Sequence, residues 1–375
     1  MITVSAPGKL FIAGEWAILE LGNAGIVTAV NKRVSAEVSP LAGKYISVHI
    51  DDFRIKDLRF SWDGQALKLF PNYKVDEDLI KFTRVSIETA LRFLQEKSIP
   101  FKPFKIRTKG EDTKVQVDGK AVKLGFGSSA ASTVAVVKAI LDFHGYPATK
   151  DEVFKLATIA HYFVQGKAGS GFDVAASTYG GVFMYKRFDG DWLVRKVEEG
   201  KSLAKIVADT WPRLEVEPLQ VPPGMFLDIG WTRAPASTVN LVKQVNEWAK
   251  SNRSAARASY TSIGRLMMEL LPAWRAKKPV RIVELLRKNE DLLRELGQKA
   301  GVEIETQDLR TLSEQANRAG GAGKLSGAGG GDCGIAVSFS PEVSKKIRQS
   351  WTEAGFPIID AAIDPQGVLS QQAPD

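Results

Sequence analysis

The stretch "KLGFGSSAAST", Lys123–Thr133, runs straight into an Ala/Val-rich segment, "SAASTVAVVKAILDFHGYP", that reads as a helix stopping at Gly145 with Pro147 just beyond. A chain carrying this feature must bring a nearly bare loop to a helix N-terminus. Gly125 and Gly127 have no Cβ and let backbone approach another group closely. Ser128 and Ser129 fall where the helix begins. The first amides of a helix have no internal partner, and the helix dipole adds about half a positive charge there. Two uses stay open: a tight turn with a good N-cap, or a seat for an anion such as phosphate. The spacing matches neither G-x-x-x-x-G-K-[ST] nor a G-x-G-x-x-G after a first strand.

The surrounding pattern mixes strands and helices. Val30, Val34, Ala36 and Val38 alternate largely as a half-buried strand does. Asp118-Gly119, between two alternating runs, marks a hairpin. Apolar residues recurring at three and four predict an amphipathic helix from Leu79 to Leu94. "DEVFKLATIAHYFVQG" reads as a further helix with Asp151 near its start, and "GGVFMYKRF" as a strand. Residues 187–222 carry Pro212, Pro218, Pro222 and Pro223 and read as a strand-and-loop connection. Beyond them, "MFLDIGWT" looks like a buried strand, with helices expected near 237–250, 252–271, 279–296 and 307–318. The strand "GIAVSF" and a short helix near 341–354 follow, and the tail "DPQGVLSQQAPD" is expected to be loose. The expected fold is α+β, with two domains, 1–187 and 188–375, sharing a cleft.

Composition narrows the function. At 375 residues, with 44% hydrophobic and 25% charged, the chain can bury a full core. Cys333 is the single cysteine, so no intrachain disulfide can form and a reducing cytoplasm is expected. The opening "MITVSAPGKLFIAGEW" has no basic leader, and no apolar run approaches the roughly 20 residues of a membrane helix. The net charge of +8 and pI near 9.3 point to an anionic partner. Lys and Arg are scattered among acids with no nucleic-acid motif, which favours a small phosphorylated molecule over nucleic acid. His49, His144 and His161 are not spaced as a metal site. The expected assembly is a monomer or a homodimer.

Three further stretches bear on the glycine-rich loop. In "SAPGKLFIAGEWAIL", Lys9 follows a Pro-Gly turn between two strands. In "QGKAGSGFDVAASTYGG", Asp173 lies in a Gly/Ser-rich loop closing a helix. "GGAGKLSGAGGGDCGIAV" places six glycines between Gly320 and Gly330, more than a chain reversal needs, so close approach to a backbone or a ligand is expected.

Together, "PGKLFIAGEW", "GFGSSAA" and "KLSGAGGGDCG" resemble the three motifs of the GHMP kinase superfamily, in order, over roughly residues 2–340. Within it, "AHYFVQGKAGSGFDVAASTYGG" and "DIGWTRAPASTVNLVKQV" are more similar to the phosphomevalonate kinases than to mevalonate, galactose or homoserine kinases. The resemblance implies a two-domain kinase fold with its active site between the domains, and ATP and Mg2+ as cofactors. It implies that Lys123 and Gly125, Phe126, Gly127, Ser128, Ser129 and Ala130 wrap the ATP phosphates, with Ser128 or Ser129 near the magnesium ion. Asp173 matches the aspartate that acts as base or orienter, and Lys9 the lysine facing it. Ser170, Ser326, Gly327 and Gly329 would support the acceptor. Phe126 stands where leucine is usual. His161 stands where mevalonate kinases carry a magnesium-binding glutamate.

A phosphate-monoester acceptor has a second pKa of about 6 and is mostly ionised at neutral pH. The difficulty is then to bring two polyanions together, since unit charges 4 Å apart repel by about 4 kcal/mol at an effective dielectric near 20. Lys9, Lys167 and Arg233 are the candidate cations, with Ser237-Thr238 at a further expected helix start.

Overall fold

The computed structural model describes residues 1–110, 114–117, 120–167, 169–236 and 238–372. The first part of the chain runs β1 (Ile2–Ala13), β2 (Ala24–Pro40), β3 (Ile46–Ile50), β4 (Ile55–Trp62), β5 (Leu67–Leu69), α1 (Glu77–Glu96), β6 (Phe104–Lys109), β7 (Lys114–Val117), β8 (Lys120–Lys123), α2 (Ser128–Phe143), α3 (Lys150–Val164) and α4 (Phe172–Tyr179). It continues β9 (Val182–Lys186), α5 (Gly190–Glu198), α6 (Leu203–Ala208), β10 (Glu215–Leu219), β11 (Phe226–Trp231), α7 (Thr238–Ser251) and α8 (Arg253–Arg275). Last come α9 (Pro279–Ala300), α10 (Gln307–Ala319), β12 (Ala322–Leu325), β13 (Cys333–Ser338), α11 (Pro341–Glu353) and β14 (Leu369–Gln372).

The large sheet is ordered β10-β9-β2-β6-β3-β4-β5, with β1 pairing both β2 and β14. Its pairs are antiparallel apart from β3 and β6. The long strand β2 explains how the halves join. Residues 34–39 alternate buried and half-buried, as in a sheet with one dry face. Residues 24–30 are buried throughout, because both faces are covered. Val27 and Ala29 face a core shared with α1, α2, α3 and α4, while Ile26 faces Leu266, Met267 and Leu270 of α8. Helix α2 is apolar nearly all round and lies in the middle of the first core. A second sheet, β11-β13-β12, is sandwiched between α8 and α9 on one face and α10 and α11 on the other.

Three expectations change here. Residues 188–219, expected in the second domain, pack in the first: Phe188, Leu193, Ile206 and Trp211 belong to its core, and β10 pairs β9. The expected boundary at 187/188 therefore does not coincide with the packing, which changes sides near residue 220. That segment also holds two helices, started by Asp189 and Ser202, whose side chains accept from Trp192 N and Lys205 N. The tail is tied down: Asp364 pairs with Arg33, which also donates to Gly367 O at 2.7 Å, and β14 extends the sheet beside β1. β7 and β8 pair as an antiparallel hairpin, with Asp118-Gly119 outside the described residues. Among the described residues no helix is long and apolar enough to cross a membrane.

Candidate active site

Lys9 sits within β1 and not after a turn: β1 is one strand with a bulge between Pro7 and Gly8 that re-aims the residues after it. Gly8 is glycine for a packing reason, since a Cβ there would lie 2.8 Å from the Phe126 carbonyl oxygen. The same approach lets Lys9 N donate to Phe126 O at 2.8 Å, which stitches β1 to the loop before α2. Lys9 Nζ donates to Gly125 O at 3.1 Å and lies 5.9 Å from the centre of the Phe172 ring.

Gly127 is the N-cap of α2, at φ 74° and with no side chain capping the helix. The amides of the first turn are thus left to whatever occupies the cleft. A Cβ on Gly127 would meet Lys9 Cγ and Cε at 3.1 and 3.2 Å and Asp173 Cβ at 3.8 Å. Lys9 and Asp173, 164 positions apart in the numbering, therefore flank one helix tip. No ion pair joins them. Asp173 stands in the first turn of α4, behind the left-handed N-cap Gly171, and its Oδ1 accepts from Val174 N at 2.9 Å. Tyr185 fixes the approach to α4 by donating to Ser170 O at 2.7 Å.

Behind the tip lies His161, 2% exposed, with Nε2 3.2 Å from Ser129 Oγ and 4.0 Å from Asp173 Oδ2. Burial pushes its pKa down, against the pull of Asp173, so the ring is neutral at pH 7. On the opposite side, Ser326 Oγ donates to Phe11 O at 3.0 Å and accepts from Phe11 N at 2.9 Å. This two-way clamp holds the last glycine-rich loop against β1. The resulting cleft, of about 860 Å³, is lined by Lys9, Gly127, Ser128, Ser129, Ser170, Asp173 and Gly327, and from the second domain by one face of α7.

Two matches account for this architecture. Residues 85–181 match the GHMP kinases N terminal domain, and residues 257–356 match the GHMP kinases C terminal domain. The phosphomevalonate kinase of Streptomyces sp. (strain CL190) is 33% identical over 361 residues, covering 93% of this chain and 94% of that one. The chain belongs to the GHMP kinases. Among solved structures, the Lin0012 protein from Listeria innocua is 32% identical with a TM-score of 0.88, covering 99% of each chain. The Streptococcus pneumoniae phosphomevalonate kinase in complex with phosphomevalonate and AMPPNP is 26% identical with a TM-score of 0.81, covering 97% of this chain and all (100%) of that one.

Not every expected site residue of this GHMP kinase faces the cleft. Lys167 turns away, 3.3 Å from Glu198 and over the Phe163 ring. Arg233 is exposed and lies outside the lining. Phe126 and Ala130 point their side chains into the cores and are not among the residues lining the cleft. Gly329 serves packing, because a Cβ there would fall 2.0 Å from Ile304 O. Thr238 lines the cleft, whereas Ser237 and the side chain of Lys123 lie outside the described residues.

Three lining carboxylates escaped the sequence reading: Asp332, Glu15 and, on α7, Glu247. Asp332 occupies the space a Gly125 side chain would need, since a Cβ there would lie 2.3 Å from Asp332 Oδ2. Burial raises the Asp332 carboxyl above its ordinary range, partly offset by Lys9. Glu15, 1% exposed, is ion-paired with the buried Lys324 and accepts from Asn289 Nδ2 at 3.2 Å. Its position in "AGEWAIL", directly after Gly14, was the available signal.

Proposed function

We propose that this chain transfers the γ-phosphoryl group of ATP to the phosphate of (R)-5-phosphomevalonate, giving 5-diphosphomevalonate and ADP in the mevalonate route to isoprenoids. The observation that carries this reading is the placement of Lys9 and Asp173 on either side of Gly127 at the uncapped tip of α2. In a chain so similar to phosphomevalonate kinases, that tip is a seat for the transferred phosphates.

An acceptor phosphate oxygen, already ionised at neutral pH, attacks the γ-phosphorus. The new P–O bond forms as the bond to the β,γ-bridging oxygen breaks, and ADP leaves with that electron pair. No base has to remove a proton. Lys9 offsets the charge accumulating between donor and acceptor, while the α2 amides hold the donor phosphates. Asp173, fixed by the Val174 amide and backed by neutral His161, orients the acceptor.

The oxygen donors here suit Mg2+ that arrives on the nucleotide: the Ser128 and Ser129 hydroxyls and the Asp173 carboxylate are available, and the described residues hold no cluster of three or more His, Cys, Asp or Glu. When bound, the ion neutralises phosphate charge. A cytoplasmic setting fits the buried, unpaired Cys333. The test is ADP release measured in parallel with mevalonate, phosphomevalonate, galactose and homoserine. Turnover of phosphomevalonate alone is expected; turnover of mevalonate in its place overturns the reading.

A further inference from the structure

Lys167 and Arg233 do not face the cleft, so the counter-charges for a second anion must come from elsewhere. Helix α7 supplies the candidates. Its Val245 is fully buried and its Leu241 and Trp248 pack beside it against a core shared with α8, α9 and Trp16. The other face, at Lys243, Asn246, Glu247 and Lys250, lines the cleft. These positions follow the helical three-four spacing, so they form one continuous stripe. Both lysines are exposed, and among the described residues neither makes an ion pair or a hydrogen bond. Cations on the neighbouring helices behave differently: Arg275, Arg281, Arg294 and Lys299 each hold a carboxylate.

The start of α7 is held beside the loop that reaches Lys9. Gly330 abuts Leu241, and a Cβ on Gly327 would lie 3.9 Å from Lys9 Nζ. Lys250 stands seven residues beyond Lys243, roughly 10 Å along the helix axis at 1.5 Å per residue. The stripe thus presents one cation toward the reacting end of the cleft and one away from it, on the wall contributed by the second domain. The donor phosphates belong to the α2 tip on the first domain, and in-line transfer brings the acceptor from the other side.

We propose that Lys243 and Lys250 bind the two anionic groups of the acceptor, Lys243 the phosphate that reacts and Lys250 the anion at the opposite end of the molecule. This rests on the proposed function and names the residues that select a doubly anionic acceptor. Glu247, one turn from both lysines, opposes them; of the lining carboxylates on the first domain, Asp173 is the one assigned above to orient the acceptor and Glu15 is already held by Lys324.

The test is steady-state kinetics on the full chain, with KM determined separately for phosphomevalonate and for ATP. Lys243→Ala and Lys250→Ala are each expected to raise the phosphomevalonate KM about tenfold, the effect of one charge-assisted hydrogen bond, with the ATP KM held within about twofold. Lys243→Arg and Lys250→Arg, which keep the charge, should recover most of the loss. Glu247→Gln should lower the acceptor KM. A rise confined to the ATP KM assigns α7 to the nucleotide and overturns the proposal, as does no change in either constant. The wild-type protein reports on the underlying reading separately. If it phosphorylates mevalonate only, that reading fails; a tenfold rise in the mevalonate KM for either alanine variant then still supports α7 as the acceptor wall, and no rise overturns it.

Discussion

The loop before α2 and the loop before β13 are both glycine-rich, yet their glycines answer to different neighbours. At the α2 tip, the space beside Gly127 is bounded by the flexible Lys9 side chain and by Asp173, on the wall of the cleft. In the second loop the missing side chains are replaced by the protein itself: Ile304 O beside Gly329, Leu241 beside Gly330, and Ala234 O beside Gly331. The α2 tip leaves room for a ligand, whereas Gly329, Gly330 and Gly331 use theirs to pack the second loop within its own domain, and Ser326 clamps that loop to β1. The number of glycines therefore says little about ligands. What each absent Cβ would touch says a great deal.

The largest effect expected from this contrast is chemical. Lys9→Ala should lower kcat about 10²–10³-fold, the usual consequence of removing one preorganised charge at a transferring group. Asp173→Asn should lose less, because an ionised acceptor needs orientation and no general base. Single-turnover rates for the two variants, measured across pH, check the order. A larger loss for Asp173→Asn with a single essential base in the profile would reverse the roles assigned to the two residues.

Two glycine substitutions then separate the loops. Gly329→Ala places a methyl 2.0 Å from a backbone oxygen at φ 80°, and should destabilise the fold by about 3 kcal/mol or more. Gly127→Ala at φ 74° meets only movable Lys9 atoms at 3.1–3.2 Å, so strain of about 1–2 kcal/mol is expected. Its principal effect should be a displaced Lys9 and reduced kcat. Thermal melts and kcat measured side by side should show Gly329→Ala failing on stability and Gly127→Ala on turnover. The same pattern of loss in both variants would erase the distinction.

Much of this was legible in the chain. Helices α7 to α11 lie within a few residues of their expected spans, because each carries a strong apolar stripe. Lys9, Ser128, Ser129 and Asp173 converge as their motifs imply. Helices α5 and α6 were hidden because the polar segment was read together with the prolines that follow it from Pro212 on, although the capping residues Asp189 and Ser202 were in plain view. Lys167 and Arg233 were misplaced for a deeper reason. Proximity in sequence to a site segment does not fix where a side chain points: both have positive φ, 66° and 62°, and Lys167 ends beside Glu198. The cleft face of α7 and Asp332 depend on how distant segments meet, which no local pattern encodes.

His161 sharpens the contrast within the α2 site itself. Its Nε2 touches the Ser129 hydroxyl and faces Asp173, so it braces both without reaching the cleft surface. His161→Phe keeps an aromatic ring against Phe82 and removes that nitrogen; kcat should fall about tenfold, in line with a lost buried hydrogen bond. His161→Gln, which can present a nitrogen at a similar reach, should recover a good part. Equal losses in the two variants would make His161 a packing residue only.

Asp332 gives the smallest and most local test, because it stands between the two loops. Its folded carboxyl holds a proton more tightly than in the unfolded chain, since burial raises its pKa despite Lys9. Ionising it therefore destabilises the fold. That penalty is absent below the ordinary carboxyl range and sets in as pH rises through the raised folded value. Asp332→Asn keeps the oxygen that accepts from the Ala236 amide, suits the residue's φ of 57°, and removes the charge. At pH 7 it should raise Tm by about one or two degrees, with no gain at pH 3. A fall in Tm at pH 7 would show that the Lys9 attraction outweighs burial, and that the carboxylate is a working part of the cleft's charge balance and not a cost carried by the loop.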